Sequence, residues 1–157
     1  MEKIALCGEI GKDKYILVDD KDFKKVNKIK WYLNKNGRVV KREKGKNLFP
    51  ARLILNCPKG MFIDHINQNK LDNRRCNLRI CTQHQNNFNI KKRGNATSKY
   101  KGVYWNKKTK LWQTGIMLNY KQIYIGSFTN ERWGALAYDI WAKELHGEFA
   151  SLNFHSL

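Results

Sequence analysis

A short strand-like run, residues 61–66, contains an acidic side chain next to an imidazole, Asp64 and His65. Buried strands seldom carry such a pair without a use for it. The residues that follow are rich in Asn, Asp and Arg and predict a loop of turns, and residues 78–81 then alternate as a returning strand. Residues 82–85, Thr-Gln-His-Gln, have the pattern of a capping box, which begins a helix. The segment therefore predicts a strand, a loop, a second strand and a helix.

Four polar side chains of this segment suit the hydrolysis of a phosphodiester: Asp64, His65, Asn77 and Asn86. An attacking water must lose a proton near neutral pH, and histidine, with an unperturbed pKa of about 6.5, titrates there, so His65 is the candidate general base. Charge that develops on the phosphoryl oxygens needs a hard cation, for which Asp64 and Asn86 offer a carboxylate and an amide oxygen. Asn77 either fixes the imidazole or closes the loop by bonding to backbone.

The same segment resembles the signature of the HNH endonucleases of the ββα-metal type, in their phage homing-enzyme branch, at residues 63–67, 69–75, 77–79 and 85–87. The resemblance implies that His65 is the general base and that Asn77 is the middle Asn of the signature. It also implies that Asp64 and Asn86 bind one divalent ion, Mg²⁺ or Mn²⁺. Similar sequences commonly carry His-Arg-Leu just upstream, where this chain has Ala51-Arg52-Leu53, and the missing imidazole predicts weaker activity.

The N-terminal segment predicts a small scaffold. Residues 14–18 are typical of a strand, and Asp19 or Asp20 can cap a short helix after it. A hairpin follows around residues 34–37, whose Asn-Gly pair tolerates the positive φ angles of tight turns. The scaffold carries a basic face suited to phosphate contact.

The C-terminal segment predicts three antiparallel strands followed by one helix. The strand-like runs are residues 100–105, 111–118 and 121–126, joined by short polar turns. The helix is predicted from about residue 130 to residue 146, with Thr129 as its cap and Gly147 at its end. Its predicted buried stripe, at a spacing of four, consists of Trp133, Ala137, Trp141 and Leu145.

The charge of the chain points to a polyanionic partner. Its 31 Lys and Arg against 13 Asp and Glu give a net charge of +18. Hydrophobic residues make up 41%, enough for a folded protein rather than a disordered basic tail. Within residues 94–121 lysines are interleaved with aromatic residues and no acid is present, which favours a sheet face that binds double-stranded DNA.

Residues 98–154 resemble the APETALA/ethylene-response-factor DNA-binding domain, which reads DNA with its sheet. The resemblance implies DNA contacts by Lys101, Tyr104, Trp105, Lys107, Trp112 and Gln113. The predicted contacts elsewhere in the chain are Arg52, Arg74, Arg75, Lys91, Lys92 and Arg93. Relatives often have Gly at the position of Tyr120, where a positive φ would strain a larger residue.

These predictions combine into an α+β chain with an N-terminal scaffold (1–50), an HNH core of the ββα-metal, or His-Me finger, type (51–90), a basic linker (91–98) and a DNA-binding sheet packed on one helix (99–157). We expect a site-directed DNA endonuclease of the homing type, acting as a monomer or homodimer, with no evident protein partner. No secretory signal or membrane span is visible, so we expect it in the cytoplasm of a bacterial or phage-infected host cell.

Two alternatives remain open at this stage. One is a DNA-binding regulator that keeps the nuclease fold but has impaired catalysis, for which Ala51 is the hint. The other is a structural zinc protein that uses Cys57, Cys76, Cys81 and a histidine, which the cysteine spacing disfavours.

Overall fold

The computed structural model describes residues 1–90, 92 and 97–154. The chain divides into two compact units, Met1–Asn86 and Asn87–Leu157. Helices alternate with small antiparallel sheets, so the predicted mixture of helices and strands is confirmed. No helix among the described residues is long and apolar enough to cross a bilayer.

The first unit contains seven strands and three helices in its described residues, in the order β1 Glu2–Ala5, β2 Tyr15–Val18, α1 Asp20–Val26, β3 Tyr32–Leu33, β4 Val39–Glu43, β5 Lys46–Leu48, α2 Pro50–Leu55, β6 Phe62–His65, β7 Leu78–Cys81 and α3 Gln83–Phe88, the last of which continues into the second unit. The sheets are β1-β2, β3-β4-β5 and β6-β7, all antiparallel.

One hydrophobic core joins the N-terminal segment to the residues beyond it. Trp31 is fully buried and its indole N–H donates to the Val26 carbonyl at 3.0 Å. Ile16 packs in the same cluster as Ile54 and Leu78. Because residues on both sides of position 50 share this core, the predicted scaffold and the β6-β7 hairpin are held together by packing.

The hairpin and the helix after it form where the alternation and the capping box predict them. Ile63 pairs with Ile80, and His65 pairs with Leu78. The Thr82 hydroxyl accepts the backbone N–H of Gln85 at 3.2 Å, and the Gln85 side chain accepts the Thr82 N–H at 2.9 Å. This reciprocal pair satisfies two backbone donors at the start of α3.

The second unit contains, in its described residues, a three-stranded antiparallel sheet and one long helix, with bounds β8 Val103–Asn106, β9 Leu111–Leu118, β10 Lys121–Phe128 and α4 Glu131–His146. The sheet order is β10-β9-β8. The turn between β9 and β10 holds Asn119 and Tyr120 at φ of 49° and 62°. The strained position predicted for Tyr120 is therefore present.

Two predictions about α4 are wrong. Asn130, and not Thr129, caps the helix, because the Asn130 side chain accepts the Arg132 N–H at 2.8 Å. The predicted aromatic stripe is largely exposed, with Trp133 at 62% and Trp141 at 42% of full exposure.

The buried face of α4 combines small residues with Tyr138, Asp139 and His146. Gly134, Ala135 and Ala142 are buried, and a Cβ added at Gly134 would lie 2.6 Å from the Thr114 hydroxyl oxygen. At Gly134 the helix approaches the sheet too closely for a larger side chain to fit, whereas further along α4 Tyr138 fills the space beside Ile116.

Candidate active site

Asp64 lies buried at the middle of the β6-β7 hairpin and is paired with an arginine. It stands opposite Arg79 in the register, and Arg79 Nε and Nη2 both donate to Asp64 Oδ2, at 2.9 and 2.6 Å. Both side chains are well shielded from solvent. A buried carboxylate needs a positive charge beside it, and the Arg79 guanidinium provides that charge. Sequence reasoning did not single out Arg79.

His65, the neighbour of Asp64, lies at the end of β6 and is half-buried. Burial lowers the pKa of His65, and this effect outweighs a hydrogen bond to Asn73 and the nearby carboxylates, which raise it. The hydrogen bond with the Asn73 side chain holds the imidazole in place. A lowered pKa favours the neutral form of the His65 ring near pH 7.

Asn73, whose side chain is hydrogen-bonded to His65, was treated in the sequence only as part of a turn. Its side chain is almost fully buried, its backbone N–H donates to the Leu17 carbonyl at 2.8 Å, and its Nδ2 donates to the Lys70 carbonyl at 3.2 Å. These bonds fix the group that holds His65. The sequence signal for Asn73 was its place in the turn-rich run at residues 72–75.

Asn77 fastens the loop between β6 and β7. It is buried, its Oδ1 accepts the Asn67 N–H at 2.9 Å, and its Nδ2 donates to the Asp72 carbonyl at 2.8 Å. Asp72 is itself paired with Arg74, and this pair holds the pKa of the Asp72 carboxyl below its usual range. Of the two roles offered for Asn77, the observed contacts are those of loop closure.

The donor set predicted for a divalent ion consists of the Asp64 carboxylate and the Asn86 amide. Asn86 lies half-buried on α3, directly after the strand that carries Arg79. A buried, charge-balanced carboxylate and an amide oxygen are ligands that suit Mg²⁺ or Mn²⁺, which keep several waters when bound to proteins. The residues therefore fit such an ion by chemistry.

The zinc alternative lacks the cluster that it needs. In residues 1–90, 92 and 97–154 no group of three or more His, Cys, Asp or Glu side chains is placed to hold a metal ion. Cys57, Cys76 and Cys81 are free thiols. Burial raises the pKa of Cys81 to about 11, which disfavours the thiolate that zinc binds.

The arginines predicted to contact DNA near the site bind other parts of the first unit. Arg52 donates to the carbonyls of Met61 and Pro58 at 2.8 and 2.9 Å, and so fixes the turn before β6. Arg74 makes a two-bond pair with Asp72.

Arg75 reaches across the unit to α1. Its guanidinium makes a two-bond pair with Asp22 at 2.7 and 2.9 Å, and its backbone N–H donates to Asp19 at 2.8 Å. Asp19 is the N-cap residue of α1, but its carboxylate accepts the Arg75 backbone N–H and makes no hydrogen bond that caps the helix. Arg74 and Arg75 are thus each paired with a carboxylate, whereas Arg52 is bonded to carbonyls and keeps its full charge.

Lys101, the first residue predicted to bind DNA in the second unit, is also engaged. Its Nζ donates to the Phe88 carbonyl at 2.7 Å, and burial lowers its pKa to about 8. The ring of Phe88 stacks on His146, with centroids 3.7 Å apart. Lys101 and His146 together secure the end of α3 inside the second unit.

The other residues predicted to contact DNA lie on two different faces of the C-terminal sheet. Val103 and Thr114 face α4, since both lie against Gly134. Trp105 is two residues after Val103 on β8, and Trp112 is two residues before Thr114 on β9. Because side chains alternate between the faces of a sheet, both tryptophans lie on the α4 side. They pair in register and meet edge to face, with ring centroids 5.0 Å apart.

Tyr104 and Gln113 pair with each other on the opposite, outer face. Lys107 is exposed in the turn between β8 and β9, and Lys92 is partly exposed. The predicted contacts Lys91 and Arg93 lie outside the described residues. Ala51 is buried on α2 within the core of the first unit.

The β6-β7 hairpin thus carries a shielded carboxylate and a half-buried imidazole, and the helix that follows it carries the Asn86 amide. The model of the HNH endonuclease family matches residues 56–88, which span β6, β7 and α3. A protein of Acanthamoeba polyphaga mimivirus, described as an uncharacterized HNH endonuclease, is 35% identical over 148 residues, covering 91% of this chain and 76% of the relative. Protein 3.8 of Escherichia phage T7 is 36% identical over 93 residues, covering 59% of this chain and 76% of the relative. The chain belongs to the HNH endonuclease family.

Proposed function

We propose that this chain is a site-directed endonuclease of the homing type that hydrolyses phosphodiester bonds in double-stranded DNA. The observation that carries the proposal is the state of His65, a half-buried imidazole that burial keeps neutral and Asn73 orients. A neutral, oriented imidazole can take a proton from water at neutral pH. The segment that holds it is the one that matches the HNH family.

The residues have separate roles in this proposal. His65 accepts the proton of the attacking water, while Asn73 sets the ring direction and Asn77 keeps the loop closed around it. Asp64 and Asn86 would hold one Mg²⁺ or Mn²⁺. When bound, such an ion stabilises the negative charge on the phosphate and on the leaving oxygen.

The second unit is proposed to supply sequence recognition, as the resemblance of residues 98–154 to the APETALA/ethylene-response-factor domain implies. The outer sheet face carries Tyr104 and Gln113, together with Met117 and Tyr124, which are 52% and 57% exposed. Apolar and aromatic side chains on a sheet can contact thymine methyls and sugars in the major groove. We assign the DNA contacts to this face, and we give Trp105 and Trp112 a packing role.

The proposal keeps the domains predicted from the sequence. Residues 51–90 hydrolyse the DNA and residues 99–157 recognise its sequence, while residues 1–50 form a scaffold and residues 91–98 a linker. Supercoiled plasmid incubated with the full chain and Mg²⁺ or Mn²⁺ tests it. We expect nicked or linear product that EDTA abolishes.

His65→Ala should slow cleavage by about 10²- to 10⁴-fold, the usual contribution of a general base, while duplex binding stays unchanged. His84→Ala, a change of the same size on α3, should cleave as the wild type does. Unchanged cleavage by His65→Ala would remove His65 from the mechanism. Tight binding with no cleavage in any divalent metal would favour the DNA-binding regulator.

A further inference from the structure

The hairpin of β4 and β5 and the turn before it concentrate positive charge. Residues 35–46 contain six basic side chains and one acidic side chain: Lys35, Arg38, Lys41, Arg42, Lys44, Lys46 and Glu43. All of them except Lys41, which lies over the Tyr32 ring, are exposed. A second run of exposed lysines, Lys21, Lys24, Lys25, Lys28 and Lys30, lies on and after α1, so the hairpin is distinguished by its position beside the loop that follows His65.

These cations differ from the downstream arginines in having no use inside the fold. Arg52, Arg74 and Arg75 are each bonded to carbonyls or carboxylates of the first unit. The side chains of Arg42 and Lys44, like those of Arg38 and Lys46, make no hydrogen bond or ion pair with any residue that the structure describes. Their charge is therefore available to a polyanion.

The hairpin lies next to the loop that follows His65. Lys70 in that loop donates to the Asn36 carbonyl, in the turn that joins β3 to β4, at 3.2 Å. An open groove of about 310 Å³ runs between this turn and the loop, with Lys14 and Lys70 among its lining residues. A chain of phosphates that crosses the hairpin thus meets more lysine on the way towards the loop beside His65.

A simpler explanation is that lysine on an edge strand prevents pairing with another sheet. That explains Lys46 on β5, which is an edge strand. It does not explain Lys35 or Arg38, which lie in the turn between β3 and β4 and not on a strand. Protection of the edge accounts for only part of the charge.

We propose that the β4-β5 hairpin is a DNA-binding arm that contacts backbone phosphates flanking the scissile one. The inference rests on the proposed endonuclease function. It moves phosphate contact within the first unit from the downstream arginines to the hairpin.

The test compares two triple variants of the full chain that remove the same charge. The first is Arg42→Gln, Lys44→Gln, Lys46→Gln, and the control is Lys24→Gln, Lys28→Gln, Lys30→Gln, which alters lysines on and after α1. Binding to a 40-bp duplex of mixed sequence is measured without divalent metal across a range of NaCl concentrations. Each lost phosphate contact lowers the slope of log K against log salt by about 0.9.

We expect the hairpin triple to lower this slope by about 2.7, for three contacts, and the control triple to leave it near the wild-type value. The charge-keeping triple Arg42→Lys, Lys44→Arg, Lys46→Arg should restore the wild-type slope, which separates charge from any loss of folding. Equal slopes for the two glutamine triples would overturn the inference while the wild type still binds and cleaves. A wild type that does not bind DNA would overturn the proposed function itself.

Discussion

Replacing Asn77 by alanine removes the two side-chain bonds that close the loop beside His65. The Asn67 N–H belongs to an exposed residue, so water can replace its partner, and the loss is about 1 kcal/mol. The Asp72 carbonyl belongs to a residue that is 2% exposed, so it is left buried without that donor, which costs about 1–3 kcal/mol. The expected total is about 2–4 kcal/mol in the unfolding free energy of the first unit.

Urea unfolding of the full chain at pH 7 measures this loss, and hydrogen exchange of the Asn67 amide shows whether the loop has opened. The matched control is Asn47→Ala, which changes the same residue type on the exposed strand β5 and should stay within about 0.5 kcal/mol of the wild type. An Asn77→Ala variant that is as stable as the control, with its Asn67 amide still protected, would show that these bonds do not hold the loop.

Three further changes are predicted from local contacts. The Asp22 pKa is lowered first by its hydrogen bond to Arg75, so the stability from this pair is full above the ordinary carboxyl value of 3.8 and is lost as the pH falls through the lowered value; in Asp22→Asn, acid titration followed by circular dichroism should lose this component. Burial lowers the pKa of Lys101 from 10.5 to about 8, so the unfolded chain binds more protons than the folded chain between those two values. Melting temperatures should therefore gain a rising component between about pH 8 and 10.5, and Lys101→Met should flatten that rise. Tyr120 has a φ of 62°, so Tyr120→Gly should relieve about 1–2 kcal/mol of backbone strain. Because glycine gives the unfolded chain more conformational entropy, the net gain in the free energy of unfolding, measured in urea, should be about 0.5–1 kcal/mol.

The elements of the candidate site follow from local sequence. The β6 and β7 strands, the polar loop and the capping box at Thr82 are set by alternation and by turn and cap chemistry, which act between residues close in the chain. The family match over residues 56–88 agrees with the resemblance identified from the same residues. The residue types of the site can therefore be recognised from the amino-acid sequence.

The partners of those residues cannot be recognised in the same way. Arg75 meets Asp22 from 53 positions away, and Arg79 meets Asp64 across the hairpin. A sequence shows that an arginine is present and basic, but whether its charge is spent on a carboxylate depends on the folded chain. For this reason the sequence alone could not show that Arg74 and Arg75, which it predicts to contact DNA, are paired with carboxylates in the fold.

By itself, the sequence determined the order of strands and helices, the strongly basic character and the HNH motif, because each of these depends on composition or on neighbours along the chain. Only the tertiary structure decided which face of α4 is buried, which face of the C-terminal sheet is open and which cations remain available. The face of α4 that carries Gly134, Tyr138 and Ala142 packs on the sheet, so the tryptophans that periodicity alone had assigned to the core are exposed. Close packing and ion pairing join residues distant in sequence, and no local pattern records them.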